Sequence, residues 1–129
     1  MFDVACAGLL VSDTFCGPIA NLPTPGELLI TPPFTIRSGG CAANVSIGLS
    51  KLGVSSRVLG KVGQDPAGYG IAKDLKSRGI DIDGIIHSPT DPTSQTVALL
   101  CRDEDRRFLH NFGANAELTV NDIESMLET

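Results

Sequence analysis

The chain has 129 residues, 42% hydrophobic and 19% charged, with 10 Lys and Arg against 15 Asp and Glu for a net charge of −5. That length suits one domain, the apolar content excludes a disordered acidic tail, and the negative balance argues against a nucleic-acid backbone binder. No stretch approaches the ~18–20 consecutive apolar residues of a membrane span, and the first residues lack a basic signal-like segment, so neither nucleic acid nor membrane is expected as a partner.

Residues 2–11 are a near-continuous apolar run closed by Ser12-Asp13, and one buried strand is expected there. Gly17, Pro18, Pro23, Pro25 and Gly26 mark residues 17–26 as loop. Leu28 to Thr31 and Phe34 to Arg37 are short strand candidates beside Pro32-Pro33, at a sheet edge because proline cannot donate to a ladder. Ser38-Gly39-Gly40 reads as a tight turn. Ala42 to Leu52 follows as a helix with Val45, Leu49 and Leu52 on one apolar face and Gly53 past its end. Arg57 to Leu59 is a short strand, closed by Gly60 and Gly63. Asp65-Pro66 opens a second helix, capped by the Asp65 carboxylate, with Ile71 and Leu75 on one face and Gly79 at its end. Ile80, Ile82, Ile85 and Ile86 form a strand region, and 88–95 a loop. Thr96 to Arg102 and Arg107 to Phe112 make a hairpin around residues 103–106. Asn121 starts a last helix that runs into Thr129.

Strands alternating with helices predict an α/β parallel sheet, and the two additional strand pairs predict an added antiparallel sheet. The last helix has no following strand to pack with, so the chain is expected to stop in mid-fold. Cys6, Cys16, Cys41 and Cys101 are too far apart in sequence for a redox pair or zinc knuckle. Four reduced, buried thiols are expected, in a reducing compartment and most simply the cytoplasm. His87 and His110 have no neighbours at metal-ligand spacing and read as surface or strand histidines; no metal site is expected.

Asp13 at the carboxyl end of the first strand, Gly39-Gly40 before a helix and Asn44 in its first turn converge where open α/β sheets bind ligands. The glycine pair lets a ligand approach the backbone, the carboxylate accepts hydrogen bonds, and the amide both donates and accepts. That combination suits a polyol or sugar. A phosphate cradle fits less well, since no GxxxxGK[ST] loop is present. Structural roles are the alternative: Asp13 as a strand-end turn residue, Gly39-Gly40 as a plain turn, and Asn44 as a helix-start residue bonding backbone.

Gly39-Gly40-Cys41-Ala42-Ala43-Asn44-Val45-Ser46, with Gly53 and Gly63 beyond, resembles the N-terminal signature of the ribokinase-like (PfkB) carbohydrate kinases. Gly60-Lys61-Val62-Gly63-Gln64-Asp65-Pro66-Ala67-Gly68 is similar to that family's G-x-V-G-x-D-x-x-G segment. Thr96 and the strand after it, Arg106-Arg107-Phe108 and Gly113-Ala114-Asn115 resemble its lid hairpin and the return to the core. The resemblance covers essentially all of residues 1–129. It implies the N-terminal part of a ribokinase-like doubly wound sheet with a small antiparallel lid, at about residues 15–38 and 96–112. The implied activity is ATP-dependent phosphorylation of a sugar or nucleoside hydroxyl in a full-length parent. Asp13, Gly39, Gly40 and Asn44 would bind substrate, and the lid would often serve as a homodimer contact. Cys41 and Ala42 stand where many relatives have Lys-Gly. The family's D-T-x-G-A-G-D segment, which brings the catalytic aspartate and the anion hole, is not in this sequence. No catalytic, ATP-binding or Mg2+-binding residue is therefore expected in residues 1–129, and the chain alone is expected to be inactive. The rival expectations are a non-catalytic sugar-binding or dimerising module and a purely structural fragment.

Overall fold

The computed structural model describes residues 1–128. Seven strands are arranged in two sheets. Strands β1 (Val4–Ala7), β4 (Ser56–Gly63) and β5 (Asp81–Ser88) form a parallel sheet in the order β1-β4-β5. Strands β2 (Val11–Ile19), β3 (Thr35–Gly39), β6 (Gln95–Cys101) and β7 (Arg107–Asn111) form the second, in the order β3-β2-β6-β7. Helices α1 (Cys41–Lys51) and α2 (Pro66–Ser77) join the parallel strands, and a 3₁₀ turn (Gly113–Glu117) leads into α3 (Val120–Leu127).

β4 is the middle strand, and its alternation sets the layers. Val58 and Val62 belong to a buried cluster with Ala42 and Ala43 of α1 and Ile71 and Leu75 of α2. Lys61, of opposite parity, reaches Asp122 of α3 at 3.4 Å. Helices therefore cover both faces of the parallel sheet, as a doubly wound fold requires. Asp65 caps α2 as expected, accepting from the Gly68 N–H at 2.8 Å. Thr119 and Asp122 close a reciprocal capping box on α3.

Several sequence expectations change. The apolar run 2–11 is not one strand: it breaks after Ala7, and β2 begins at Val11 in the other sheet. The break is held by Asn115, whose side chain accepts from Leu10 N–H at 3.1 Å and donates to Leu10 C=O at 2.9 Å. Strand β2 then continues through Gly17-Pro18, where a loop was expected, with an irregular register beside β6 between Cys16 and Ile19. Leu28 to Thr31 forms no strand, and Phe34 to Arg37 is replaced by β3, two residues further on at its end. Ser38 and Gly39 belong to β3, so the glycine turn is reduced to Gly40, the N-cap of α1. The Arg57 to Leu59 strand lengthens to all of β4.

The buried face of α1 is Ala42, Ala43 and Ser46, whereas Val45 and Leu52 stay 54% and 78% exposed. Periodicity revealed a stripe, but the sheet took the adjacent small-residue stripe, which lets the helix backbone come close. The second sheet is antiparallel at β2–β3 and β6–β7, but its middle pair β2–β6 is parallel, so it is a mixed sheet. Of the cysteines, all free, Cys6 and Cys101 are buried, Cys16 is half-buried and Cys41 is exposed. Thr129, where the last helix was expected to end, lies outside the described residues.

Candidate functional site

The chain leaves the parallel sheet for the second sheet twice, after β1 and after β5, both times at the carboxyl end of a strand. The second sheet is thereby rooted at the rim where open α/β sheets take their ligands. Its roots are bonded to the core and to each other. Ser12 N–H donates to Ser94 C=O at 2.9 Å, Ala114 N–H to Pro92 C=O at 2.8 Å, and the Ser94 hydroxyl to Phe112 C=O. Asp65 anchors the same corner. Its carboxylate accepts from the Thr93 N–H at 2.9 Å and the Thr93 hydroxyl at 2.5 Å, and Gly63 N–H donates to that hydroxyl oxygen at 2.8 Å. Desolvation pushes the Asp65 pKa up, but the Thr93 hydroxyl and amide, the Gly68 amide and His87 outweigh it and hold the carboxyl below its ordinary value. Thr93 is 28 residues from Asp65, which is why sequence reading found the helix cap and missed the latch.

Asp13 is not at the end of the first strand but three residues into β2, on the second sheet. Its carboxylate rests against Gly39, where a side chain would strike it. Gly40 has φ +91°, and a Cβ there would come within 2.7 Å of the Leu9 carbonyl carbon. This corner thus needs glycine twice, once for a close approach and once for a left-handed backbone. Asn44 lies one turn along α1, its N–H bonded to Gly40 C=O at 2.9 Å. Its side chain is exposed and has no hydrogen-bond partner among the described residues. The structure therefore brings Asp13, Gly39 and Gly40 into one corner and sets Asn44 on the helix that follows it, with no hydrogen bond between the Asp13 and Asn44 side chains among the described residues. Cys41 begins that helix, its Sγ accepting from Leu9 N–H at 3.2 Å.

Register shows what sequence reading missed. Asp13 stands opposite Arg37 on β3 and Thr96 on β6, and Thr96 stands opposite His110 on β7. Directly paired residues share a sheet face, so four polar side chains cross the sheet in one row. Burial pushes the Asp13 pKa up, partly offset by the Thr96 hydroxyl and the His110 charge. Alternation in the 96–112 hairpin was the available signal, but it does not say which strand lies beside β2. On the reverse face, Ser12, Thr14, Ser38 and Gln95 line a cleft of about 490 Å³ against α2. None of Asp13, Gly39, Gly40 or Asn44 lines it.

Residues 1–128 match the family model described as pfkB family carbohydrate kinase. The chain belongs to that family. Among its PfkB relatives, the Arabidopsis thaliana protein named "Probable fructokinase-6, chloroplastic" is 31% identical over 123 residues, covering 94% of this chain and 30% of that protein. Fructokinase-2 of Solanum habrochaites is 32% identical over 102 residues, covering 79% of this chain and 31% of that protein. The chain thus spans about a third of the length of the curated relatives it matches. In structure it is similar to Arabidopsis thaliana ribokinase complexed with ribose and ATP, at TM-score 0.83 and 25% identity over 98% of this chain and 42% of that one. It is also similar to a sugar kinase from Pyrococcus horikoshii in complex with ATP, at TM-score 0.76 and 30% identity over 97% and 40%. ATP binding is therefore a property found within the fold family, and the sequence resemblance to PfkB kinases holds over the described chain. No helix of the described residues is long and apolar enough to cross a membrane.

Proposed function

We propose that this chain is the sugar-binding half and lid of an ATP-dependent carbohydrate kinase, which transfers a phosphoryl group to a sugar or nucleoside hydroxyl. The observation that carries this is the Asp13 carboxylate on the lid face, set against the Gly39-Gly40 corner beside the start of α1. A desolvated carboxylate with free lone pairs is a strong hydroxyl acceptor. The glycine pair lets the carboxylate and the Leu9 backbone pack close against the start of α1, and the unpartnered Asn44 amide adds a donor and an acceptor. In this reading Asp13, Gly39, Gly40 and Asn44 contact substrate, and the β2-β3-β6-β7 sheet closes over it to exclude water.

The reaction also needs ATP, Mg2+ and a catalytic base. In this reading those parts fall to other segments of a longer parent, a reading supported by the chain's spanning about a third of its curated relatives, and this chain by itself is inactive. Self-association through the lid is part of the same reading. Ile36, Phe108 and Leu109 on its outer strands are 70%, 57% and 64% exposed, and β3 and β7 present free edges. The free thiols support a reducing compartment, most simply the cytoplasm.

Titration calorimetry of the chain with fructose, ribose and a nucleoside tests the binding half of this reading, with Asp13→Ala as the control. Sugar affinity that is the same in Asp13→Ala would remove Asp13 from the site. An ATP-consumption assay with the same panel and Mg2+ tests the rest. Sugar-dependent turnover that tracks the purified 129-residue chain would overturn its assignment as a half-site.

A further inference from the structure

The face of the lid turned away from Asp13 carries polar side chains that the protein itself leaves unsatisfied. Ser38 of β3, Ser12 of β2 and Gln95 of β6 stand in register across the sheet, with Thr14 further along β2. None of these four side chains makes a hydrogen bond among the described residues. Buried polar side chains are hydrogen-bonded as a rule. Ser12 is only 7% exposed and breaks that rule. Among the described residues the Ser56 hydroxyl alone is both sealed off and unpaired, so the unpaired Ser12 hydroxyl opens into the cleft beside it. That cleft, of about 490 Å³, lies between the lid and α2. Its size falls in the ~300–1,000 Å³ range of small-molecule sites. Opposite the hydroxyls, Pro66, Ala67, Gly70 and Ile71 of α2 make an apolar wall. The charges at its border are already engaged. Asp74 and Arg78 hold each other at 3.0 Å. Arg37 also borders the cleft, but its guanidinium lies 5.6 Å over the ring of Phe15, which shares the Asp13 face.

We propose that this cleft is a second ligand site, separate from the Asp13 corner, and that it takes a neutral polyhydroxylated molecule of monosaccharide size. A charged ligand would lose hydration there without meeting a free counter-charge. Serine and threonine hydroxyls and the glutamine carboxamide each donate and accept, as the hydroxyls of a polyol do. The C–H face of such a molecule matches the wall of Ala67 and Ile71. A ligand in the cleft touches the lid on one side and α2 on the other, so it braces the lid against the core from behind. The inference goes beyond the reading of the Asp13 corner, because none of Asp13, Gly39, Gly40 or Asn44 lines the cleft.

The test follows 1H–15N spectra of the labelled chain as fructose, ribose or glucose is added to tens of millimolar. At least one sugar should give saturable shifts at the Ile71 and Gln95 amides, and fructose 6-phosphate should bind there more weakly than fructose. Gly70→Leu fills the cleft. Gly70 is helical and a Cβ there meets nothing within 4 Å, so the variant should keep or raise Tm, leucine being the better helix former. It should abolish the sugar-dependent shifts at Gln95. Ser12→Ala should weaken cleft binding about two- to tenfold. Three results would each overturn the site: no saturable shift at Ile71 and Gln95 with any of the three sugars, shifts that persist in a folded Gly70→Leu, or shifts that follow protein concentration rather than sugar, as a second copy seated on the cleft would give. Equal or tighter cleft binding of the phosphate ester would overturn the neutral class of ligand. A sugar response at Asn44 that survives Gly70→Leu separates the two sites, and no response at Asn44 at all would count against the Asp13 reading alone.

Discussion

Replacing Asp65 by asparagine tests the corner that roots the lid, because the substitution keeps the shape and removes only acceptor capacity. Three donors converge on the carboxylate: Gly68 N–H and the Thr93 hydroxyl on Oδ1, and Thr93 N–H on Oδ2. The Thr93 hydroxyl cannot turn elsewhere without loss, since its oxygen already accepts from Gly63 N–H. An asparagine has one carbonyl oxygen, so its NH2 group must face donors on one side or the other. If it faces Oδ2's partner, Thr93 N–H is left unpaired in a residue only 1% exposed. If it faces the other side, the α2 cap and the hydroxyl bond are lost together. An unsatisfied buried donor costs about 1–3 kcal/mol, and a lost cap about 1 kcal/mol. The amide takes the cheaper orientation, so a cost of about 1–3 kcal/mol is expected, or a fall in Tm of roughly 4–11 °C at ~2.1 cal/mol/K per residue. The acid limb adds a second signature. The folded-state pKa of Asp65 is lowered, so its stabilisation is complete above the unfolded carboxyl value and is lost as pH falls through the folded one. Urea or thermal unfolding at several pH values should show the gap between Asp65→Asn and the unaltered chain wide at pH 7 and narrowing below about pH 4. A variant within about 1 °C at pH 7, or a gap that does not narrow in acid, would refute the latch.

Asp13 substitutions should move stability and binding in opposite directions. Burial raises the Asp13 pKa, so the charged form is a folding penalty above that pKa, and the penalty is relieved as pH falls through it. Tm at pH 7 should rise or hold in Asp13→Asn, while Asp13→Ala should lower sugar affinity roughly 10- to 150-fold; a lower Tm with unchanged affinity would mark Asp13 as structural. Gly40→Ala should cost at least about 2 kcal/mol in urea unfolding, because a left-handed backbone and a collision with the Leu9 backbone act together, and a near-neutral result would contradict the corner's geometry. Sedimentation over a wide concentration range should show self-association that Phe108→Asp weakens; a clean monomer throughout would refute association through the lid.

Local chemistry was written plainly in the sequence, and non-local pairing was not. The Asp65 cap with Pro66 after it, the hairpin around residues 103–106 and the alternation of strands with helices each depend on residues a few positions apart, and each stands in the structure. The PfkB signature around Gly39-Gly40 and Asn44 was legible for the same reason, since its spacing runs from the end of β3 through the N-cap into the first turn of α1. Three features depended on the tertiary structure. The run 2–11 is apolar on both sides of its break, so only the pairing of Asn115 with Leu10, 105 residues apart, divides it between two sheets and carries Asp13 into the lid. The apolar stripe of α1 lost to the small stripe of Ala42, Ala43 and Ser46, because a helix face is chosen by what it packs against. The row of Asp13, Thr96 and His110 exists only because β2 lies parallel to β6. Strand order is set by where the sheets bury their faces, and no spacing within a strand encodes its neighbour.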